Sequence, residues 1–354
     1  MINFLIVGNG LAANILAHTF KNNNITFTII GNSNLSNCSN VAAGIWNPIV
    51  FKRMTKSWLA DELIDYLIPF YEKIEKNFTQ KIITHRSILK SFFEEQEKTL
   101  WQKKAETELT QFLDKSIYSQ GSVAFKEAKL NEEFGFVKKC GTVDVPTFIT
   151  ETEKLFNLNF INQTFNYSDL NINTNYISYK NVNYENIIFC EGFLVKDNPY
   201  FNWLKLNPAK GEIITITSNQ LNINNTILNK NGFIFNTKPN TFKVGATYEW
   251  SDLTQTTTQK ANNELQQKLT HLITCNYQII QHQAGIRPSS SDRRPIIGTH
   301  PYHKNLHIFN GLGTKGVMLA PYFANNFVNF YLQKQTLINE VDVKRFYHLY
   351  KNAN

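Results

Sequence analysis

The chain has 354 residues, 42% of them apolar and 18% charged, and its 36 Lys and Arg exceed its 28 Asp and Glu by eight. That is a globular composition with material for one large or two medium domains, and no apolar run is long enough to span a bilayer, which predicts no membrane span. The excess cations are spread along the chain, so a generally basic surface accounts for them better than a nucleic-acid partner does; RNA is the second reading. Cys38, Cys140, Cys190 and Cys275 lie far apart without a CxxC pair, and the eight histidines show no HxH or HExxH spacing. These spacings predict neither a disulfide framework nor a metal site, and a cytoplasmic protein without a secretory leader.

Residues 2–7 are an apolar run leading directly into Gly8-Asn9-Gly10-Leu11-Ala12-Ala13, after which Ala13, Leu16, Ala17 and Phe20 recur on one helical face. Strand, tight turn and helix in this order open a dinucleotide-binding βαβ unit. Gly8 turns the chain, Gly10 lets a pyrophosphate approach the backbone, and Ala13 keeps the helix close to the strand. The helix amides and dipole then favour the phosphates. The bland alternative is an ordinary strand-turn-helix. Residues 25–30 read as the second strand, which ends in Gly31-Asn32-Ser33. An acid normally stands there to bond the ribose hydroxyls; here only Asn32 or Ser33 offers a weaker contact.

The small-residue run Ser39-Asn40-Val41-Ala42-Ala43-Gly44, followed by Ile45-Trp46-Asn47-Pro48, suits a segment pressed against a flat ligand, with Trp46 as a wall; a buried helical turn is the alternative. Leu59, Leu63, Leu67, Phe70 and Ile74 predict a core-facing helix with Pro69 as a kink. Residues 94–115 read as a helix whose inner side is Leu100, Trp101, Leu109, Phe112 and Leu113. Residues 117–145 look strand-like, and Pro146 opens a helix running to Phe156. Short strands follow near 159–165 and 175–180, then a buried strand, 186–192, ending Cys190-Glu191-Gly192. Residues 210–247 are strand and turn, and 257–274 helical. βαβ units combined with an antiparallel block indicate an α/β, overall α+β, chain of two interleaved domains.

Two C-terminal stretches carry more. The first is Ala284-Gly285-Ile286-Arg287-Pro288, continued by Asp292 and Pro295-Ile296-Ile297-Gly298. The second is Gly311-Leu312-Gly313-Thr314-Lys315-Gly316-Val317, continued to Ala320-Pro321. With the N-terminal glycines, Lys210-Gly211-Glu212 and Val244-Gly245-Ala246-Thr247, in this order, the chain resembles the D-amino-acid-oxidase-like family of FAD-dependent oxidoreductases. That family includes glycine oxidase, sarcosine oxidase and the flavin domain of the enzyme that modifies tRNA wobble uridine. The resemblance implies a Rossmann-like FAD-binding domain over 1–80, 140–200 and 280–354, and an antiparallel-sheet substrate domain over 81–139 and 201–279.

It also implies FAD as the cofactor. No cysteine lies in the C-terminal flavin loops, so FAD is expected to be non-covalent. The expected cofactor contacts are Gly8, Gly10, Leu11, Ala12, Ala13, Asn32, Ser39, Ala42, Ala43, Gly44, Cys190, Gly192, Gly285, Gly313, Thr314, Lys315, Gly316 and Val317. Arg287 is implied to hold the substrate carboxylate, as a guanidinium fork suits; its alternative is a structural Arg bonding backbone carbonyls. Lys315 is expected near the flavin or the substrate, and Tyr248 over the flavin. The implied reaction moves hydride from the α-carbon of a small carboxylated amine to flavin N5, and the imine then hydrolyses; oxygen or another acceptor reoxidises the flavin. The alternatives are oxidation of an N-substituted glycine carried on tRNA, and a non-catalytic flavin-binding protein.

Overall fold

The computed structural model describes residues 1–35 and 37–351, so the last three residues of the expected 280–354 segment lie outside the described residues. Two large sheets organise the chain. The first has a parallel centre in which Ile2–Val7 lies between Phe27–Gly31 and Val182–Phe189, with Phe160–Asn162 beyond Phe27–Gly31. The other edge of Val182–Phe189 pairs with antiparallel Ile177–Tyr179 at its start and parallel Leu306–Asn310 at its end. Leu170–Ile172 and Ile296–Thr299 complete the sheet.

The central strands Ile2–Val7 and Phe27–Gly31 are short, mainly apolar runs because both faces are covered. Phe4 and Ile6 pack toward Leu11–Asn22, Ala60–Glu75 and Gly316–Tyr331. Leu5 and Val7, pointing the other way, meet Phe201, Trp203 and Ile308. The helix predicted around Leu63, Leu67, Phe70 and Ile74 is Ala60–Glu75, with Pro69 inside it. Asp144 caps Val145–Leu155, where Pro146 occupies the first turn.

The second sheet runs Gln278–Arg287, Ala209–Thr217, Thr241–Gly245, Phe233–Lys238, Thr226–Asn229, Ile83–Ser91, Glu133–Val143 and Ile45–Trp46. Only the pairing of Thr226–Asn229 with Ile83–Ser91 is parallel among its long strands. Its apolar face, including Ile214, Ile234 and Val244, packs on Leu265 and Leu269 of helix Gln259–Thr270. Two strands, Glu133–Val143 and Gln278–Arg287, cross the boundaries expected at 139/140 and 279/280.

Two readings need correction. Helix Glu95–Glu106 ends well before residue 115, because Thr107 leaves helical dihedrals; Leu109, Phe112 and Leu113 are buried from the turns that follow, whereas Leu100 is exposed. Within 117–145 only Tyr118–Ser119 and Glu133–Val143 are strands.

Candidate functional site

A cleft of about 480 Å³ opens where the chain passes between the two sheets. Its floor is the glycine turn after the first strand. Gly8 has φ +118°, and a Cβ there would stand 2.5 Å from the carbonyl oxygen of Cys190. No other residue fits, because the backbones of the first strand and of the segment after Val182–Phe189 touch at this point. Gly10 begins helix Leu11–Asn22 without a side-chain cap, and the Leu11 amide donates to Ser39 Oγ at 3.0 Å. The amides of Ala12 and Ala13 are left without an acceptor among the described residues. Leu11 also packs on Gly316, so the N-termini of helices Leu11–Asn22 and Gly316–Tyr331 converge at the cleft. Two positive helix ends and unbonded amides suit a pyrophosphate.

The segment predicted to press against a ligand folds as a short helix, Cys38–Val41, capped by Asn37, and then runs along the cleft through Ala42, Ala43 and Gly44. It enters the second sheet at Ile45, paired with Thr142. Trp46 is not the expected wall. It is fully buried, its Nε1 donates to the Lys139 carbonyl at 3.1 Å, and it does not face the cleft, because the strand alternation that puts Ile45 on the cleft side turns Trp46 into the core.

At the end of the cleft formed by the second sheet stands Arg287, the last residue of its strand. Nη1 donates to the Lys210 and Thr247 carbonyls at 3.2 and 3.3 Å, and Nη2 to Thr247 at 3.3 Å. The Tyr248 ring lies against the guanidinium, 4.3 Å from its centroid. The structural alternative for Arg287 is therefore real, but it uses only part of the group. Of five N–H donors, the Nε hydrogen and one Nη2 hydrogen have no bond to a described residue. No described carboxylate lies within ion-pairing distance. Burial pulls the Arg287 pKa down, against weaker opposing effects of Tyr248 and Cys38. Gly211 makes the position possible, since a Cβ there would fall 1.9 Å from Nη2.

Tyr248 and Trp250 stack at 6.0 Å on an exposed loop beside Arg287. The loop is tied down by Lys210, whose buried ammonium meets Asp252 at 2.5 Å and Glu212 at 3.6 Å. Glu212 in turn accepts from Thr258 at the loop's far end.

Of the expected contacts, Gly8, Gly10, Leu11, Ala12, Asn32, Ser39, Ala42, Ala43, Gly44, Cys190, Gly192, Tyr248, Gly285, Arg287, Gly313, Thr314, Gly316 and Val317 all line this one cleft. Ala13 and Lys315 do not. Ala13 is buried in the helix–sheet core. Lys315 turns its ammonium away to bond Ser57 Oγ, and burial lowers its pKa to about 8.

Several cleft residues went unread in the sequence: Cys38, Thr164, Phe165, Tyr167, Glu191 and Asn310. Asn310 Nδ2 donates to the Gly192 carbonyl at 2.8 Å and fixes that turn. Glu191 accepts from Tyr167 OH and, at 2.7 Å, from Asn198 Nδ2, and burial still lifts its carboxyl to about 7. Both cleft thiols are pushed up by burial, Cys190 strongly and Cys38 against the pull of the nearby Arg287 charge. No group of three or more potential metal ligands occurs among the described residues.

Comparison with known proteins agrees with this geometry. A family model described as FAD dependent oxidoreductase matches residues 3–328. Glycine oxidase of Bacillus subtilis (strain 168) is 27% identical over 128 residues, a match that covers 34% of this chain and only 35% of that protein. Among solved structures, glycine oxidase from Bacillus cereus ATCC 14579 superposes with a TM-score of 0.76 at 18% identity, over 95% of this chain and 96% of that one. Iminodiacetate oxidase from Chelativorans sp. BNC1 does so with a TM-score of 0.77 at 16% identity, over 97% and 98%. At such identities these structures speak for the fold. The family match runs through the sheet that carries the glycine turn and the sheet that carries Arg287, and the chain accordingly belongs to the DAO family of FAD-dependent oxidoreductases, with FAD as its cofactor.

Proposed function

We propose that the protein is an FAD-dependent amine or amino-acid oxidase or dehydrogenase whose substrate is a small carboxylated amine, an amino acid or an N-substituted glycine. The observation that carries this reading is Arg287: a half-buried cation on the cleft wall, without a described carboxylate partner and with an N–H pair unused. Buried charge without compensation is costly, and a ligand carboxylate supplies the compensation. FAD, when bound, supplies the hydride acceptor. The chain's own share is to orient the substrate through Arg287, to shield it with Tyr248 and to exclude water with the 246–258 loop. The Gly8–Ala13 turn and the start of helix Gly316–Tyr331 hold the cofactor without a covalent bond. In support, the pKa of both cleft thiols, Cys38 and Cys190, is raised by burial, which disfavours the reactive thiolate.

The test is an anaerobic titration of the purified yellow protein with glycine, sarcosine, proline and D-amino acids. Bleaching of the visible flavin band by at least one of them is the expected result. A flavin that none of these reduces would count against the reading and in favour of a tRNA-borne substrate or a non-catalytic role. In the Arg287→Leu variant, loss of two charge-assisted bonds at roughly 1.5–3 kcal/mol each lowers kcat/KM by about 100-fold or more. Flavin content stays as in the wild type.

A further inference from the structure

Gly31 occupies the end of the second strand, where a ribose-binding acid would stand. The structure explains why no acid can be there: a Cβ on Gly31 would lie 2.6 Å from Asn9 Cβ and 2.9 Å from the Asn9 amide nitrogen. Asn9 belongs to the glycine turn and lines the cleft. Its side chain is held at both ends. Asn9 Oδ1 accepts from Asn14 Nδ2 at 3.2 Å, and Asn9 Nδ2 donates to Ser33 Oγ at 3.2 Å and to Glu153 Oε1 at 2.5 Å. Ser33 Oγ also donates to Glu153 Oε1, at 3.0 Å. Glu153 comes from helix Val145–Leu155, more than 100 residues downstream. Glu153 Oε2 makes no hydrogen bond to a described residue, and no described lysine or arginine forms an ion pair with this carboxylate.

We propose that Glu153 replaces the missing strand-end acid as the positioning residue for the adenosine ribose of the bound dinucleotide. It acts by fixing Asn9 and Ser33 at the lip of the glycine turn. The negative charge that the strand cannot carry is delivered from the neighbouring helix. Of the three, Asn9 lines the cleft, and its Oδ1, held in place through Ser33 and Glu153, is the oriented acceptor offered to the ribose hydroxyls. This inference rests on the cleft taking FAD.

The experiment uses apoprotein and displacement of FAD, followed by flavin fluorescence, with ADP and 2′,3′-dideoxy-ADP as competitors. Wild-type protein should prefer ADP by about tenfold or more, the size expected for hydrogen bonds to a charged network. Glu153→Gln should bind FAD about 10- to 100-fold more weakly and bind the two competitors nearly alike, while its affinity for FMN is unchanged. The FMN measurement shows that the variant is folded, and a merely structural Glu153 would not alter the ribose preference. Should Glu153→Gln keep the full preference for ADP, the proposal fails and the FAD reading stands. Should the wild type bind neither FAD nor ADP, both fall together.

Discussion

At the scale of single residues, Lys315 shows how a motif position and a side-chain role can part company. The residue sits in the glycine loop, yet its ammonium is tucked against Ser57 at the N-terminal end of a helix, where both burial and the dipole disfavour positive charge. Its pKa in the fold is lowered to about 8, below the ordinary lysine value of 10.5. The unfolded chain therefore binds more protons between these values, and stability rises with pH across that window. Lys315→Met should raise the melting temperature of the apoprotein at pH 7, with a smaller gain at pH 10, as thermal scans at the two pH values would reveal. A lower melting temperature at pH 7 would instead mean that the Ser57 bond outweighs the buried charge. Arg287 differs in kind. Its burial is organised by two backbone carbonyls and a ring, which leaves one side of the fork for a ligand.

At the scale of elements, the site depends on how closely strands pass. Gly211 lies in the strand beside that of Arg287; it pairs with Gly285, while Ala209 pairs with Arg287, and the Arg287 side chain folds back over Gly211. In Gly211→Ala the new methyl would occupy the guanidinium's place, 1.9 Å from Nη2. The expected outcome is a fall in kcat/KM comparable to that of Arg287→Leu, with an unaltered flavin spectrum; steady-state kinetics beside absorbance spectra would check it. The Lys-Gly-Glu sequence gave a family likeness but no hint of this packing. What the sequence did make legible were features set by local pattern. The apolar runs of the parallel strands, the glycine turn and the helix around Leu63 and Leu67 follow from period and turn chemistry alone. The end of helix Glu95–Glu106 was not legible, because Leu109, Phe112 and Leu113 satisfy helical spacing equally well when buried from consecutive turns. Trp46 and Glu153 were not legible either: one is placed by strand alternation in a sheet whose partners lie about 100 residues away, the other by a helix meeting a distant turn.

At the scale of the whole molecule, we read the first sheet with its helices as the cofactor-binding domain and the second as the substrate domain. Among the described residues the chain passes between them four times, and the cleft lies at two of these crossings, residues 42–45 and the turn after Arg287. A ligand in that cleft touches both cores, so FAD should stabilise them as one unit. At a free FAD concentration 100 times its Kd the gain is about 2.7 kcal/mol. Hydrogen exchange should slow in the 38–44 segment and in Gln278–Arg287 together. Protection confined to the first sheet would show that the two cores respond separately. No helix among the described residues is long and apolar enough to cross a membrane.

Cys38 and Cys190 border a cleft built for redox chemistry, and a flavin that passes its electrons to oxygen releases peroxide at that very place. Peroxide attacks thiolates far faster than thiols. Burial raises the pKa of both sulfurs, which favours the protonated form. With oxygen as the acceptor, the proposed oxidase would have two oxidisable atoms beside its product in the form that resists attack, and its working lifetime would shorten at a pH high enough to ionise them.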